Sequence, residues 1–174
     1  MNLYLHEFTH LTLSFLVGLT IWKISGNVYV LPAALMGGFF IDLDHLLDYF
    51  LAFGAKFNLS YFLKGYQFLK TDKIYVLFHS WELVIFLFLT LPAVSCIVAL
   101  AKMEALAKEG QMLQPLLLSF SLSLFLHLSV DVFTNNMKAQ SYFLFYRINN
   151  NFELKTMVTK EHYKKHLKQK KQLV

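Results

Sequence analysis

Gly37-Gly38-Phe39-Phe40-Ile41-Asp42-Leu43-Asp44-His45-Leu46-Leu47-Asp48 sets three carboxylates and an imidazole inside a run that is otherwise apolar and aromatic. In apolar surroundings each charge costs several kcal/mol unless it is paired or bound to a cation. Asp42, Asp44, His45 and Asp48 therefore need a partner. Hard oxygens together with an imidazole make a donor set suited to a divalent metal, zinc first, with manganese or iron as alternatives. The other histidines of the apolar part are candidates to complete it.

The composition around this stretch is that of a membrane protein. The chain is 56% hydrophobic with a mean hydropathy of +0.47, beyond what aqueous globular domains carry. Eighteen Phe and nine Tyr supply lipid-facing and interfacial bulk. The single cysteine, Cys96, excludes an intrachain disulfide and lies in an apolar run with no activating base beside it, which argues against thiol catalysis. No cleavable signal is expected, because the N-terminus lacks a basic leader and carries Glu7.

The expected architecture is all-α, with about four membrane-spanning helices over Leu3 to Trp22, Val28 to Leu47, Ile74 to Leu100 and Met112 to Thr134. Lys23-Ile-Ser-Gly26-Asn27 reads as a tight first turn, and Lys102 to Gly110 as a short third connection. Residues 49–73 interleave Lys56, Lys64, Lys70 and Lys73 with Phe and Tyr, the pattern of an interfacial helix. Residues 1–135 would form the membrane domain. Residues 136–174 would form an aromatic interfacial segment and a basic tail, which holds nine of the sixteen basic residues.

That tail is expected to be solvated and to mark the cytosolic side rather than to bind nucleic acid; the natural partner is membrane lipid. His162 and His166 have ligand spacing but stand among lysines that would repel a cation. With both termini cytosolic, thirteen Lys or Arg lie inside and only Lys23, Lys102 and Lys108 outside.

In this topology the polar residues of the four spans fall at one end. His6 and His10 open the first, and Asp42, Asp44 and His45 close the second. His79 and Glu82 open the third, and His127 and Asp131 close the fourth. His6/His10 and His127/Asp131 are i,i+4 pairs and His79/Glu82 an i,i+3 pair, each on one helical face. Asp42 and Asp44 would point to opposite sides of an unbroken helix. Either the helix breaks there, or Asp42 caps a new turn whose face carries Asp44 and Asp48.

His6-Glu7-Phe8-Thr9-His10 also matches H-E-x-x-H, in which two histidines bind zinc and the glutamate activates water. Alone this pattern is short and arises often by chance. Here it opens a span level with further ligands.

With these residues quoted, the chain resembles the bacterial membrane-bound metal-dependent hydrolases of the inner membrane. That family has a Thr-His leading into an apolar helix, a P-D-x-D-H element, an H-R-G-x-T-H-S element and a late H-x-x-x-D. The corresponding residues are Thr9-His10, Ile41-Asp42-Leu43-Asp44-His45, His79-Ser80 and His127-Leu-Ser-Val-Asp131, in the same order over residues 9–134. Ile41 replaces the proline, and Ile74 stands where the first histidine of the third element would fall. Glu82 or His6 is the candidate replacement for that ligand. The resemblance implies a bacterial inner-membrane hydrolase.

The leading reading is a hydrolase with its metal held by His10, Asp42, Asp44, His45, His79, His127 and Asp131, and further by His6 and Asp48. Glu7 or Glu82 is the candidate general base. The embedded depth favours lipid-linked or amphiphilic phosphate esters. Arg147 is a candidate phosphate contact, with an interfacial anchor as the plain alternative. The competing readings are an intramembrane zinc protease using His6, Glu7 and His10, and a non-enzymatic metal-binding membrane protein.

Overall fold

A computed structural model describes residues 3–100 and 104–173. The helices are α1 (Leu3–Ser25), α2 (Val30–Gly38), α3 (His45–Phe53), α4 (Leu59–Leu63), α5 (Tyr66–Thr71), α6 (Trp81–Leu100), α7 (Glu104–Thr134), α8 (Leu144–Asn149), α9 (Leu154–Met157) and α10 (Lys160–Leu173), with 3-10 turns at Phe40–Asp44 and Ala139–Tyr142. No strand occurs among the described residues, only the isolated bridges Lys73–Glu153 and Met137–Val158. Two helical stretches, Tyr4–Ser25 and Met112–Thr134, are long and apolar enough to cross a bilayer. On α1 the side chains of Leu5, Phe8, Phe15 and Leu16 are exposed, an apolar surface that suits lipid better than water. The chain is all-helical and has the character of a membrane protein.

Contacts divide the chain into two units. The first combines Met1–Ile41 with Trp81–Phe133. Val17 and Ile21 of α1 and Val30 and Ala34 of α2 form its core, with Leu116, Leu122 and Leu126 of α7 packed against them. The turn between α1 and α2 falls where the sequence placed it. Gly26, at φ 69°, takes the left-handed position after the helix, and its N–H donates to the Trp22 carbonyl at 2.8 Å. The expected third connection is different: Glu104 onward is already helical and belongs to α7, while Lys102 lies outside the described residues.

The second expected span is broken. α2 ends at Gly38, a 3-10 turn follows over Phe40–Asp44, and α3 starts at His45. Consecutive glycines are poor helix formers, and they end α2 where the carboxylates begin. Asp44 is the N-cap residue of α3, and no side-chain capping bond forms there.

The second unit combines Asp42–Ser80 with Thr134–Val174. Its core is Ile74, Val76, Leu154, Met157 and Val158, with Phe68, Met137, Tyr146 and Tyr163 packed on it. Helix α6 begins only at Trp81, so Ile74–Ser80 departs from the helix expected there. The carboxylates explain the departure. Asp48 accepts the N–H groups of Tyr75 (2.7 Å) and Val76 (3.2 Å), and Asp44 those of Leu77 (3.1 Å) and Phe78 (2.7 Å). Four successive backbone donors are thus satisfied by side chains, which replaces the bonds a helix would make.

The 49–73 segment folds into the end of α3 and the short helices α4 and α5, rather than one continuous helix. Tyr49 is buried among Phe53, Phe57 and Phe62, and its hydroxyl donates to the Lys56 carbonyl while accepting the Asn58 N–H. The basic tail is docked rather than wholly solvated. His166 of α10 is buried and meets Asp72 at 2.8 Å, and Lys170 reaches the other oxygen of the same carboxylate.

Candidate metal centres

In the first unit α1 and α7 bring His6, His10, His127 and Asp131 together. The Nε2 atoms of His6 and His10 are 3.0 Å apart, and each lies close to Asp131 Oδ1, at 3.1 and 3.2 Å. His10, His127 and Asp131 are buried. Three electronegative atoms at these mutual distances are poorly served by hydrogen bonds alone. If both imidazoles donate to the carboxylate, their N–H groups face one another. A cation on the triangle satisfies all three at once. With Zn–N bonds of ~2.0–2.1 Å, tetrahedral ligands stand about 3.3 Å apart, close to the edges seen. The donor set fits a divalent metal.

His127 is oriented for the same group. Its Nδ1 donates to the Gly38 carbonyl at 2.8 Å, which turns Nε2 toward Asp131 Oδ2 at 3.6 Å. A histidine whose other nitrogen is held by a carbonyl is the usual arrangement of a metal-binding imidazole. Its ring stacks on that of His10 with centroids 3.9 Å apart. Gly38 reaches this position because it lacks a side chain: a Cβ there would run into Ser14 and Ser123, and one on Gly37 into the Phe120 carbonyl.

In the second unit Asp42, His45 and His79 form a group of mutually close donor atoms. Asp42 Oδ1 stands 3.1 Å from His79 Nε2 and 3.6 Å from His45 Nε2. His79 Nδ1 lies 3.1 Å from Asp44 Oδ2. Asp44 thus fixes the tautomer that turns the Nε2 lone pair toward Asp42, the role of a carboxylate behind a metal-binding histidine. Of the residues proposed as ligands from sequence, Asp44 and Asp48 belong to no such group, because their oxygens are engaged by the 75–78 backbone.

Glu7 lies half-buried on α1 between His6 and His10 in sequence, and Glu82 opens α6. His79 precedes that helix, so the helical i,i+3 relation expected of His79 and Glu82 does not apply. Arg147 is fully buried in α8, and its Nη1 donates to the Val76 carbonyl at 2.7 Å. Asp72 was not singled out in the sequence. Burial raises its carboxyl, but hydrogen bonds from Lys170 and His166 outweigh that and hold it below the ordinary value. A lone aspartate between Lys70 and Lys73 gives no sign of a partner 94 residues away.

Searches against protein-family models, curated proteins and solved structures find no match for this chain.

Proposed function

We propose that this protein is a membrane-embedded, metal-dependent hydrolase of a bacterial inner membrane, with four spans and cytosolic termini, acting on an amphiphilic phosphate ester. The observation that carries the reading is the triangle of His6 Nε2, His10 Nε2 and Asp131 Oδ1, whose edges of 3.0–3.2 Å suit one divalent ion. His127 is turned toward the same carboxylate, and Asp42, His45 and His79 offer a second set. The resemblance to membrane-bound metal-dependent hydrolases supports it through the order of the same residues. When bound, a zinc, manganese or iron ion supplies Lewis acidity that polarises a phosphoryl oxygen and acidifies water.

The chain's own residues would divide the remaining work. Asp44 holds His79 in one tautomer, and the Gly38 carbonyl does the same for His127. Glu7 or Glu82 takes the proton from the attacking water. The test is metal-dependent turnover by the full chain in nanodiscs, loaded with zinc, manganese or iron in turn, on a panel of lipid phosphates and membrane peptides. Phosphate release that disappears in Asp131→Ala is expected. Cleavage of peptides without phosphate release would overturn the reading in favour of a zinc protease, which the close approach of His6 and His10 also supports.

A further inference from the structure

The second unit contains a cavity of about 440 Å³, within the range of small-molecule sites. We propose that it binds the substrate: an amphiphile whose anionic phosphate end meets Lys64 and His162 and whose hydrocarbon part lies along Leu63, Phe68 and Met137. The inference deepens the hydrolase reading and rests on it.

Three observations lead to it. The first is charge. The described lining holds a lysine and three histidines with side-chain amides such as Asn135 and Gln169, and no carboxylate. Burial first, and then the charges of His166 and Lys165, hold His162 below the ordinary imidazole value, so the fixed positive charge of this wall is that of Lys64 and His162 adds a hydrogen-bonding ring. Such a wall complements an anion. The second is the apolar part: Leu63, Phe68, Leu69, Met137, Leu154 and Val158 supply a hydrocarbon surface that a free inorganic anion would leave uncovered. The third is position. His45 belongs both to the lining and to the donor group with Asp42 and His79, so the cavity borders that group.

The cavity needs the tail. His162, His166 and Gln169 come from α10, which Asp72 holds through His166 and Lys170. A basic C-terminal segment that otherwise serves only as a topology signal thereby becomes one wall of the site.

The experiment is calorimetric titration of the full chain in phosphatidylcholine nanodiscs, with empty nanodiscs as blank. The probes are n-octyl phosphate, n-octyl glucoside and inorganic phosphate. Saturable binding of octyl phosphate at least about tenfold tighter than either comparator is expected. Lys64→Glu, an exposed position, should weaken it about tenfold or more by removing a charge-assisted contact. Leu63→Trp, at the exposed rim, should weaken it similarly by filling the cavity. Lys168→Glu, on α10 outside the lining, should leave it unchanged. Glucoside binding as tight as octyl phosphate would overturn the anionic end, and phosphate binding as tight would overturn the apolar wall. Indifference to both Lys64→Glu and Leu63→Trp would overturn the site itself. Retained octyl phosphate binding without metal-dependent phosphate release would leave the cavity standing and overturn the hydrolase reading. Release unaffected by either cavity variant would do the reverse.

Discussion

Asp48 and Arg147 grip the same residue from the two sides of its backbone: Asp48 Oδ2 accepts the Val76 N–H at 3.2 Å, and Arg147 Nη1 donates to the Val76 carbonyl at 2.7 Å. Val76 needs the grip, since it sits at φ 27°, a conformation that a β-branched residue rarely adopts. Both charged side chains are buried, and they attract each other. Arg147→Met would leave the buried Val76 carbonyl without its charged donor, a loss of about 1–3 kcal/mol. Asp48→Asn combined with Arg147→Met should show coupling of about 0.5–3 kcal/mol in denaturant unfolding of the detergent-solubilised chain. Strict additivity of the two changes would contradict the shared grip.

The donor groups predict metal binding that depends on particular carboxylates. Asp131→Ala and Asp42→Ala should each lower the metal bound per protein. Asp44→Asn acts through His79 instead, and should cost about 10–100-fold in affinity without removing a ligand. Elemental analysis together with zinc competition by a chelator measures both effects. Unchanged metal content in Asp131→Ala would refute the first centre.

Gly38 and Gly26 separate packing from turn chemistry. Gly38→Ala drives a methyl into Ser14 and Ser123 and displaces the carbonyl that orients His127, so stability should fall by about 1–3 kcal/mol with loss of metal. Gly26→Ala has open space but a left-handed backbone, and should cost about 1 kcal/mol with metal retained. Thermal melts and metal content of the two variants give the comparison.

Docking of α10 should fail in acid. The folded Asp72 carboxyl lies below its unfolded value because the hydrogen bonds from Lys170 and His166 outweigh the burial that raises it. Its contribution is therefore present above the unfolded value of ~3.9 and is lost as pH falls through the folded one. Hydrogen exchange of α10, taken relative to the intrinsic rate at each pH, should rise below about pH 4 in the native chain. In Asp72→Asn it should already be raised at neutral pH and change little on acidification. Equal exchange in both proteins at pH 7 would remove Asp72 from this role.

The sequence disclosed these features unequally. Periodic polar residues on long apolar helices are legible, so the pairing of His6/His10 with His127/Asp131 followed from i,i+4 spacing and helix direction. The span expected over Val28 to Leu47 was legible only as two alternatives, since two carboxylates two residues apart conflict with a straight helix, and the break was one of them. The irregular Ile74–Ser80 segment was hidden because its own residues favour an apolar helix. What unwinds it is a pair of aspartates 27 to 34 residues earlier, a long-range effect that no local pattern encodes. Asp72 and the cavity were hidden for the same reason.

Glu7 distinguishes the two enzymatic readings. In an H-E-x-x-H protease it is the general base, and Glu7→Gln should keep the metal while removing nearly all turnover, because an amide cannot take a proton from water at neutral pH. In the phosphate-ester hydrolase the shared residues are Asp42, Asp44, His45, His79, His127 and Asp131, and Glu7 lies outside both donor groups described here. Its loss should then cost less than Asp42→Asn. We expect the second outcome, because the resemblance covers four elements in order whereas the protease pattern covers five residues. The measurement is kcat of Glu7→Gln and Asp42→Asn at matched metal content, on the phosphate ester and on a membrane peptide. Near-complete loss in Glu7→Gln, with peptide cleavage by the native chain, would reverse the assignment and make His6, His10 and Asp131 the ligands of a protease.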